Sequence, residues 1–317
     1  MWIAKPLHAL SPEEIDLCFQ RQALPLSQTI CWQQASQATG AQSYLVLHTE
    51  KLIGGFVHTF DRQHFDCVNG PILNWDQPNQ ITSELATFAH AVSRLSRSFQ
   101  SVTLAPRWES EWVSQRLSYL PISPTQIDQA STLIVPVEST TPLQLERTHP
   151  RMQRTLSKAQ KSGVHVESLD ITPARIEIFA EELASFGRRK GFYVPPTHWL
   201  KTLVLNSPRL DVSFRLFRST FGKNYTQVLI ALTPQTCIYL FGYDFRADDH
   251  SPSTSASAHF QVLENCRDLK VPAYDLNGFT DSRDLNHPYV GVSQFKSQFG
   301  GQEVRWVSPK FHISQSV

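Results

Sequence analysis

The sequence lacks the cysteine pattern of a disulfide-stapled or thiolate-metal protein. Its five cysteines, Cys18, Cys31, Cys67, Cys237 and Cys266, are odd in number and scattered, and no C-x-x-C pair occurs. That excludes a disulfide framework and a cysteine zinc site, and it predicts buried reduced thiols in a reducing compartment. No segment approaches 18 uninterrupted apolar residues, and the opening "MWIAKPLHALSPEEID" carries no apolar signal core, so the expectation is a soluble cytoplasmic protein. Charge of one sign is also missing. Lys and Arg number 29 against 28 Asp and Glu, for a net charge of +1, which argues against a protein that coats duplex DNA and leaves room for a local basic patch toward RNA or phosphates.

Catalytic signatures are absent too. The chain has no G-x-x-x-x-G-K-[ST], no strand-bound G-x-G-x-x-G, no H-E-x-x-H and no G-x-S-x-G, which sets aside nucleotide hydrolysis, zinc hydrolysis and serine hydrolase chemistry. His48, His58 and His64 are too loosely spaced to hold a metal. No glycine-rich pyrophosphate loop of the kind that acyl-CoA-dependent transferases place before a helix is found.

What is present is a globular composition, 41% hydrophobic and 18% charged over 317 residues, enough for about two domains. "SPEEIDLCF" opens a helix with Ser11 as cap, Pro12 at the first position and Glu14 closing a capping box. "SYLVLHTEKLIGGFVHTF" reads as two strands about a turn near Glu50 and Lys51. Leu85, Phe88, Ala89, Val92 and Leu95 form the stripe of a helix over 82–98. "SVTLAP" and "STLIVPV" (131–137) read as strands, with a short helix after Trp108. The stretch 138–142, "ESTTP", is the expected boundary. Helices over 150–162, stopped by Gly163, and 172–190 follow, the second burying Ile176, Phe179, Ala180, Leu183 and Phe186. Strands at 212–219, 226–233 and 236–245, a helix at 256–269 and the strand of "PAYDLNGF" complete an α+β order in which the halves repeat one another.

Several constellations could carry chemistry. Arg151, Arg154, Lys158 and Lys161 share one helix face; a solvated face or a phosphate track for RNA both fit. Arg188, Arg189 and Lys190 stand at a helix C-terminus, where they answer the dipole or line an anionic pocket. Tyr239 and Tyr243, four apart on one strand, are expected on one face. Asp275 ends an apolar strand, either as a working group or as a loop cap. Lys296 stands between Phe295 and Phe299 in "SQFKSQFGG". It is either a snorkelling surface lysine or a desolvated cation set to hold charge that appears during a reaction.

Taken in order, these segments resemble the Fem family of peptidoglycan-bridge aminoacyl transferases. The similar pieces are "SQTICWQQASQATG" (with Gln28, Thr29, Trp32 and Gly40), the strand and basic helix of "TLIVPVESTTPLQLERTHPRMQRTLSKAQKSGVHVE", "FGRRKGFYVPP", and "AYDLNGF" with the later "PYVGVSQFKSQFGG". The resemblance implies two tandem acetyltransferase-like domains without a coiled-coil arm. These are expected at 1–140, binding the acceptor, and 141–301, taking the aminoacyl-tRNA end and carrying the lysine, with 302–317 returning to the first. It implies an aminoacyltransferase that moves an amino acid from aminoacyl-tRNA, a co-substrate rather than a bound cofactor, to an amine of a peptidoglycan precursor. Lys296 would stabilise the oxyanion, with Phe295 excluding water and Asp275 a candidate base. Arg188, Arg189, Tyr239 and Tyr243 would meet the acceptor and its phosphates. Arg151, Arg154, Lys158 and Lys161 would meet tRNA, with a peripheral inner-membrane contact as a further implied partner. Ser36 departs from the pattern, standing where similar members carry a lysine for the acceptor's diphosphate, which leaves a nucleotide-linked or lipid-linked acceptor open. An acyl-CoA-dependent N-acyltransferase and a non-catalytic RNA-binding module are the competing readings.

Overall fold

The computed structural model describes residues 2–11, 13–14, 25–51, 53–73, 80–106, 108–109, 126–206, 212–248, 251–280 and 289–314. The chain divides into two compact units: Met1–Ala130 with Arg305–Val317, and Ser131–Val304. The first division falls inside a strand, seven residues or more before the polar "ESTTP", because Ile134–Pro136 already pair with Ala273–Asp275 of the second unit.

The first unit is built on β1 (Trp2–Pro6), α1 (Ile30–Ala38), β2 (Gln42–His48), β3 (Ile53–Thr59), β4 (His64–Asn69), α2 (Ile81–Ser93), β5 (Ser101–Pro106) and the short β6 (Trp108–Glu109). β1, β2, β3 and β4 run antiparallel in that order. β4 and β5 are parallel, and Phe311–Ser314 of the C-terminal strand pair antiparallel with β5. The stripe expected on α2 is the one that buries: Leu85, Phe88, Ala89 and Val92 meet Val46, Phe65 and Leu104 in one core. The helix ends at Ser93, five residues before the expected stop. Ser11 and Glu14 form the expected capping box, with Glu14 N–H donating to Ser11 Oγ at 3.3 Å and Ser11 N–H to Glu14 Oε2 at 2.9 Å. The rest of that helix, and the one expected after Trp108, lie outside the described residues.

The second unit repeats this plan with β7 (Gln126–Pro136), α3 (Thr141–Arg147), α4 (Pro150–Lys161), β8 (His165–Leu169), α5 (Pro173–Lys190), α6 (Thr197–Leu205), β9 (Ser213–Phe221), β10 (Asn224–Leu232), β11 (Cys237–Phe245), α7 (Thr254–Asp268), β12 (Ala273–Asp275) and α8 (Val290–Ser297). The long β13 (Gln302–Ser314) closes the chain. β8, β9, β10 and β11 are antiparallel neighbours, β12 joins β11 in parallel, and β7 pairs antiparallel with β12. α5 starts where Thr172 Oγ1 accepts from Arg175 N–H at 3.2 Å and stops at Gly191, whose φ of 74° is cheap only for glycine. Of its expected core residues, Phe186 is only half-buried.

One difference between the two sheets creates a site. In the first, β4 and β5 stay paired from His64↔Ser101 to Asn69↔Pro106. In the second, the equivalent strands pair only at Cys237↔Tyr274 and Ile238↔Asp275, and then part. The register of β11 on β10 slips at that point, Tyr239 facing Ile230 and Phe241 facing Leu229, so Leu240 is an extra, bulged residue. A bulge bends its strand and interrupts the alternation of faces. The free edge of β11 past Ile238 opens into a cavity.

Candidate active site

A cavity of about 520 Å³ lies inside the second unit, along the part of β11 that β12 leaves unpaired. Leu183, Phe186, Phe192, Val228, Tyr239 and Phe295 give it apolar walls, while His259, Lys296, Asp244 and Arg246 bring polar groups to it. An apolar recess with a few convergent polar groups is the usual form of a small-substrate site.

Lys296 settles the choice between a snorkelling and a desolvated cation. It sits on α8, not in a turn, and only 7% of it is exposed. Its Nζ donates to the carbonyls of Asn277 and Gly278, the latter at 2.7 Å, and lies 5.6 Å from the centre of the Tyr239 ring. Burial lowers its pKa to about 8, against a smaller upward pull from the Asp275 carboxylate. Phe295 borders the cavity, and its ring stands edge-on to Phe299 at 5.3 Å, so one flank of the lysine is dry.

Gly300 ends this segment with φ of 78°, and a Cβ there would fall on the Arg147 carbonyl. Asp275 is not among the residues that line the cavity. Its Oδ1 accepts from Thr132 Oγ1 and from the backbone N–H of Asn277 at 2.7 Å. It therefore shapes the loop whose carbonyls hold Lys296, as the loop-cap alternative expects.

Tyr239 and Tyr243 do not share a face. The bulge at Leu240 puts Tyr239 with Ile230, toward α7, and Tyr243 with Gln227, toward α5. Counting by twos fails across one extra residue. Tyr239 meets the His259 ring edge-to-face at 4.9 Å. Tyr243 donates to Glu182 Oε2, and Tyr225 donates to Glu182 Oε1 at 3.0 Å. Burial raises the pKa of Tyr239, and burial with the Glu182 bond raises that of Tyr243, so both phenols keep their protons.

The basic residues divide in two. Arg188 and Arg189 are exposed at the end of α5 and are not cavity-lining; Arg189 reaches back to Ser185 Oγ at 3.3 Å and lies over Phe186. Their neighbours Phe192 and Tyr193 do line the cavity. On α4, Arg151, Arg154, Lys158 and Lys161 are all exposed, Met152, Leu156 and Ala159 are buried, and none of the four cations has an ion pair among the described residues.

Sequence reasoning missed His259 and Arg246. His259 is 5% exposed, and burial pushes its pKa down to about 3, with Lys296 adding to the shift. Arg246 stands at the cavity's edge, its Nε 2.7 Å from Asp244 Oδ2. Neither has a sequence neighbour whose spacing would announce it. Among the described residues no cluster of three or more His, Cys, Asp or Glu could hold a metal, and no helix is long and apolar enough to cross a membrane.

No family model and no curated sequence matches the chain. Solved structures do. The crystal structure of FemX superposes with a TM-score of 0.72 over 96% of each chain at 13% identity. The fold is FemX-like. It consists of two α+β units, and its longest described helix is α5, with 18 residues. The structure of L-PGS from Bacillus licheniformis follows at a TM-score of 0.53 and 9% identity, covering 94% of this chain and 91% of that one. The C-terminal domain of a putative lysylphosphatidylglycerol synthetase from Agrobacterium fabrum gives 0.52 at 10% identity, over 96% and 92%. Across these FemX-like structures the likeness is one of fold.

Proposed function

We propose that this chain is an aminoacyltransferase that moves an amino acid from aminoacyl-tRNA to an amine of a peptidoglycan precursor. The observation that carries the reading is Lys296: a buried ammonium at the wall of an apolar cavity, held by two carbonyls and in no ion pair among the described residues. The amine nitrogen attacks the ester carbonyl carbon, a C–N bond forms, and the carbonyl oxygen becomes an oxyanion. Collapse breaks the bond to the ribose oxygen, which leaves with the proton the amine gives up. A cation preset in a low-dielectric site stabilises that oxyanion by several kcal/mol, on the order of a 10²–10³-fold effect for one donor. The FemX-like fold, the ordered segments that resemble the Fem family, and the four α4 cations, which make no ion pair among the described residues, support the same reading. The carrier of the acceptor is left open, because Ser36 turns its hydroxyl onto the Trp32 carbonyl at 3.0 Å and offers no cation there.

The test is direct. Purified protein, charged tRNA and a muropeptide precursor should yield a peptide one residue longer, and Lys296→Met should lose about 10²-fold or more in kcat while remaining folded. Wild-type turnover in that variant would defeat the role given to Lys296. A thermal shift with acetyl-CoA and none with charged tRNA would move the assignment to an acyl-CoA-dependent enzyme.

A further inference from the structure

The oxyanion just described has more than one lone pair, while Lys296 has spent two of its three protons on Asn277 and Gly278. A second donor is already in place. His259, on the second turn of α7, lines the same cavity, and the Tyr239 ring touches both residues. Its Nδ1 lies 2.7 Å from the Tyr274 hydroxyl. Tyr274 is fully buried, and its phenol has no other partner among the described residues.

A buried hydroxyl with one acceptor in reach gives its proton to that acceptor. Nδ1 is therefore the acceptor, and the ring proton stands on Nε2. That nitrogen has no protein partner among the described residues, and Phe295 and Phe299 close the rest of the ring at 5.7 Å each.

We infer that His259 is the second oxyanion donor: a neutral imidazole, fixed by Tyr274 with its Nε2–H toward the cavity, that binds the substrate's acyl oxygen together with Lys296. Resting on the aminoacyl-transfer reading, this assigns His259 to the substrate and Tyr274 to positioning. With Nδ1 accepting from Tyr274 and Nε2 carrying the proton, the ring has no free lone pair to take another, and burial disfavours its charged form. A neutral donor also adds a hydrogen bond without setting a second cation beside Lys296.

The experiment combines nitrogen NMR with kinetics. In ¹⁵N-histidine-labelled wild-type protein, His259 should be the Nε2–H tautomer at pH 7, and Tyr274→Phe should turn it into a mixture. His259→Phe keeps an aromatic ring among Tyr239, Phe295 and Phe299 and removes the donor. Its kcat should fall about 10²-fold with little change in KM, and its melting temperature should drop by roughly a few degrees, because the buried Tyr274 hydroxyl loses its acceptor. His259→Gln restores an amide donor and should recover part of the rate; it also serves should the Phe variant fail to fold. An Nδ1–H tautomer, an imidazolium at pH 7, or wild-type kcat in His259→Phe would overturn the assignment. A wild-type protein that uses no charged tRNA defeats the aminoacyl reading instead, and the tautomer then decides the donor's orientation alone.

Discussion

The Lys296 ammonium donates to the Gly278 carbonyl at 2.7 Å, so a backbone dipole rather than a carboxylate holds the buried charge. A cation clamped by a counterion would have its field cancelled, whereas one held by carbonyls keeps it for the substrate. Its pKa near 8 sets an alkaline limit on activity. The working form is protonated, so kcat should be full below about pH 7, half-maximal near pH 8, and fall about tenfold per unit well above it. The residual rate of Lys296→Met should lack that limb. The stability sign is the opposite one. The folded pKa of about 8 lies below the ordinary 10.5, so between them the unfolded chain binds more protons and stability rises with pH. Urea midpoints from pH 8 to 10 should therefore climb more in wild type than in Lys296→Met.

Asp275 separates a tether from a base. As a tether it needs only an acceptor oxygen for Asn277 N–H and Thr132 Oγ1, which asparagine also has. Asp275→Asn should keep kcat within several-fold of wild type and move the alkaline limb to lower pH, since the carboxylate that raises the Lys296 pKa is gone. Asp275→Ala should cost about 1 kcal/mol of stability by leaving the buried Thr132 hydroxyl without its acceptor. A loss of 10³-fold in Asp275→Asn with an unmoved limb would restore the general-base role.

The elements most legible in the sequence were those with a strong period. The 3–4 spacing of Arg151, Arg154, Lys158 and Lys161 against Met152, Leu156 and Ala159 marks one helix with a wet and a dry side, and α4 is that helix. Lys296 was legible because a cation between two phenylalanines is out of place on a solvated face. The bulge at Leu240 was invisible, since no residue type announces it, and it reversed the relation of Tyr239 to Tyr243. His259 was hidden for a different reason: its meaning comes from Tyr274, fifteen residues away. β1 and β13 were missed because neither contains an apolar run.

Glu182 accepts from two phenols at once, Tyr243 and Tyr225, where α5 crosses the sheet. Glu182→Ala would leave the almost fully buried Tyr243 hydroxyl without its acceptor, at a cost of roughly 2–4 kcal/mol. Tyr225→Phe removes the outer phenol and leaves the Tyr243 bond intact, so it should cost less, about 1 kcal/mol. Urea unfolding of the two variants gives the comparison, and equal losses would mean the two bonds are not ranked by burial.

Gly300 joins α8 to β13 at a point where the chain turns through a left-handed conformation against the backbone of Arg147. Alanine there meets both a strained φ and a carbonyl that cannot rotate away. Gly300→Ala should lose about 3 kcal/mol or more, with kcat reduced as α8 shifts Lys296. Gly163→Ala is the control: it too has positive φ, at 80°, but its Cβ meets nothing within 4 Å. It should lose only about 1 kcal/mol.

The four cations of α4 separate an RNA track from a merely solvated face. They are exposed and carry no ion pair among the described residues, so Arg154→Ala with Lys158→Ala should leave stability within about 0.5 kcal/mol. Binding to RNA releases counterions in proportion to the phosphates neutralised. Losing two contacts should flatten the slope of log affinity against log salt by about 1.5. KM for charged tRNA should rise accordingly while kcat stays put, because the cavity and Lys296 are untouched. An unchanged slope would mean that the phosphates lie on another surface and that this helix only keeps the chain soluble.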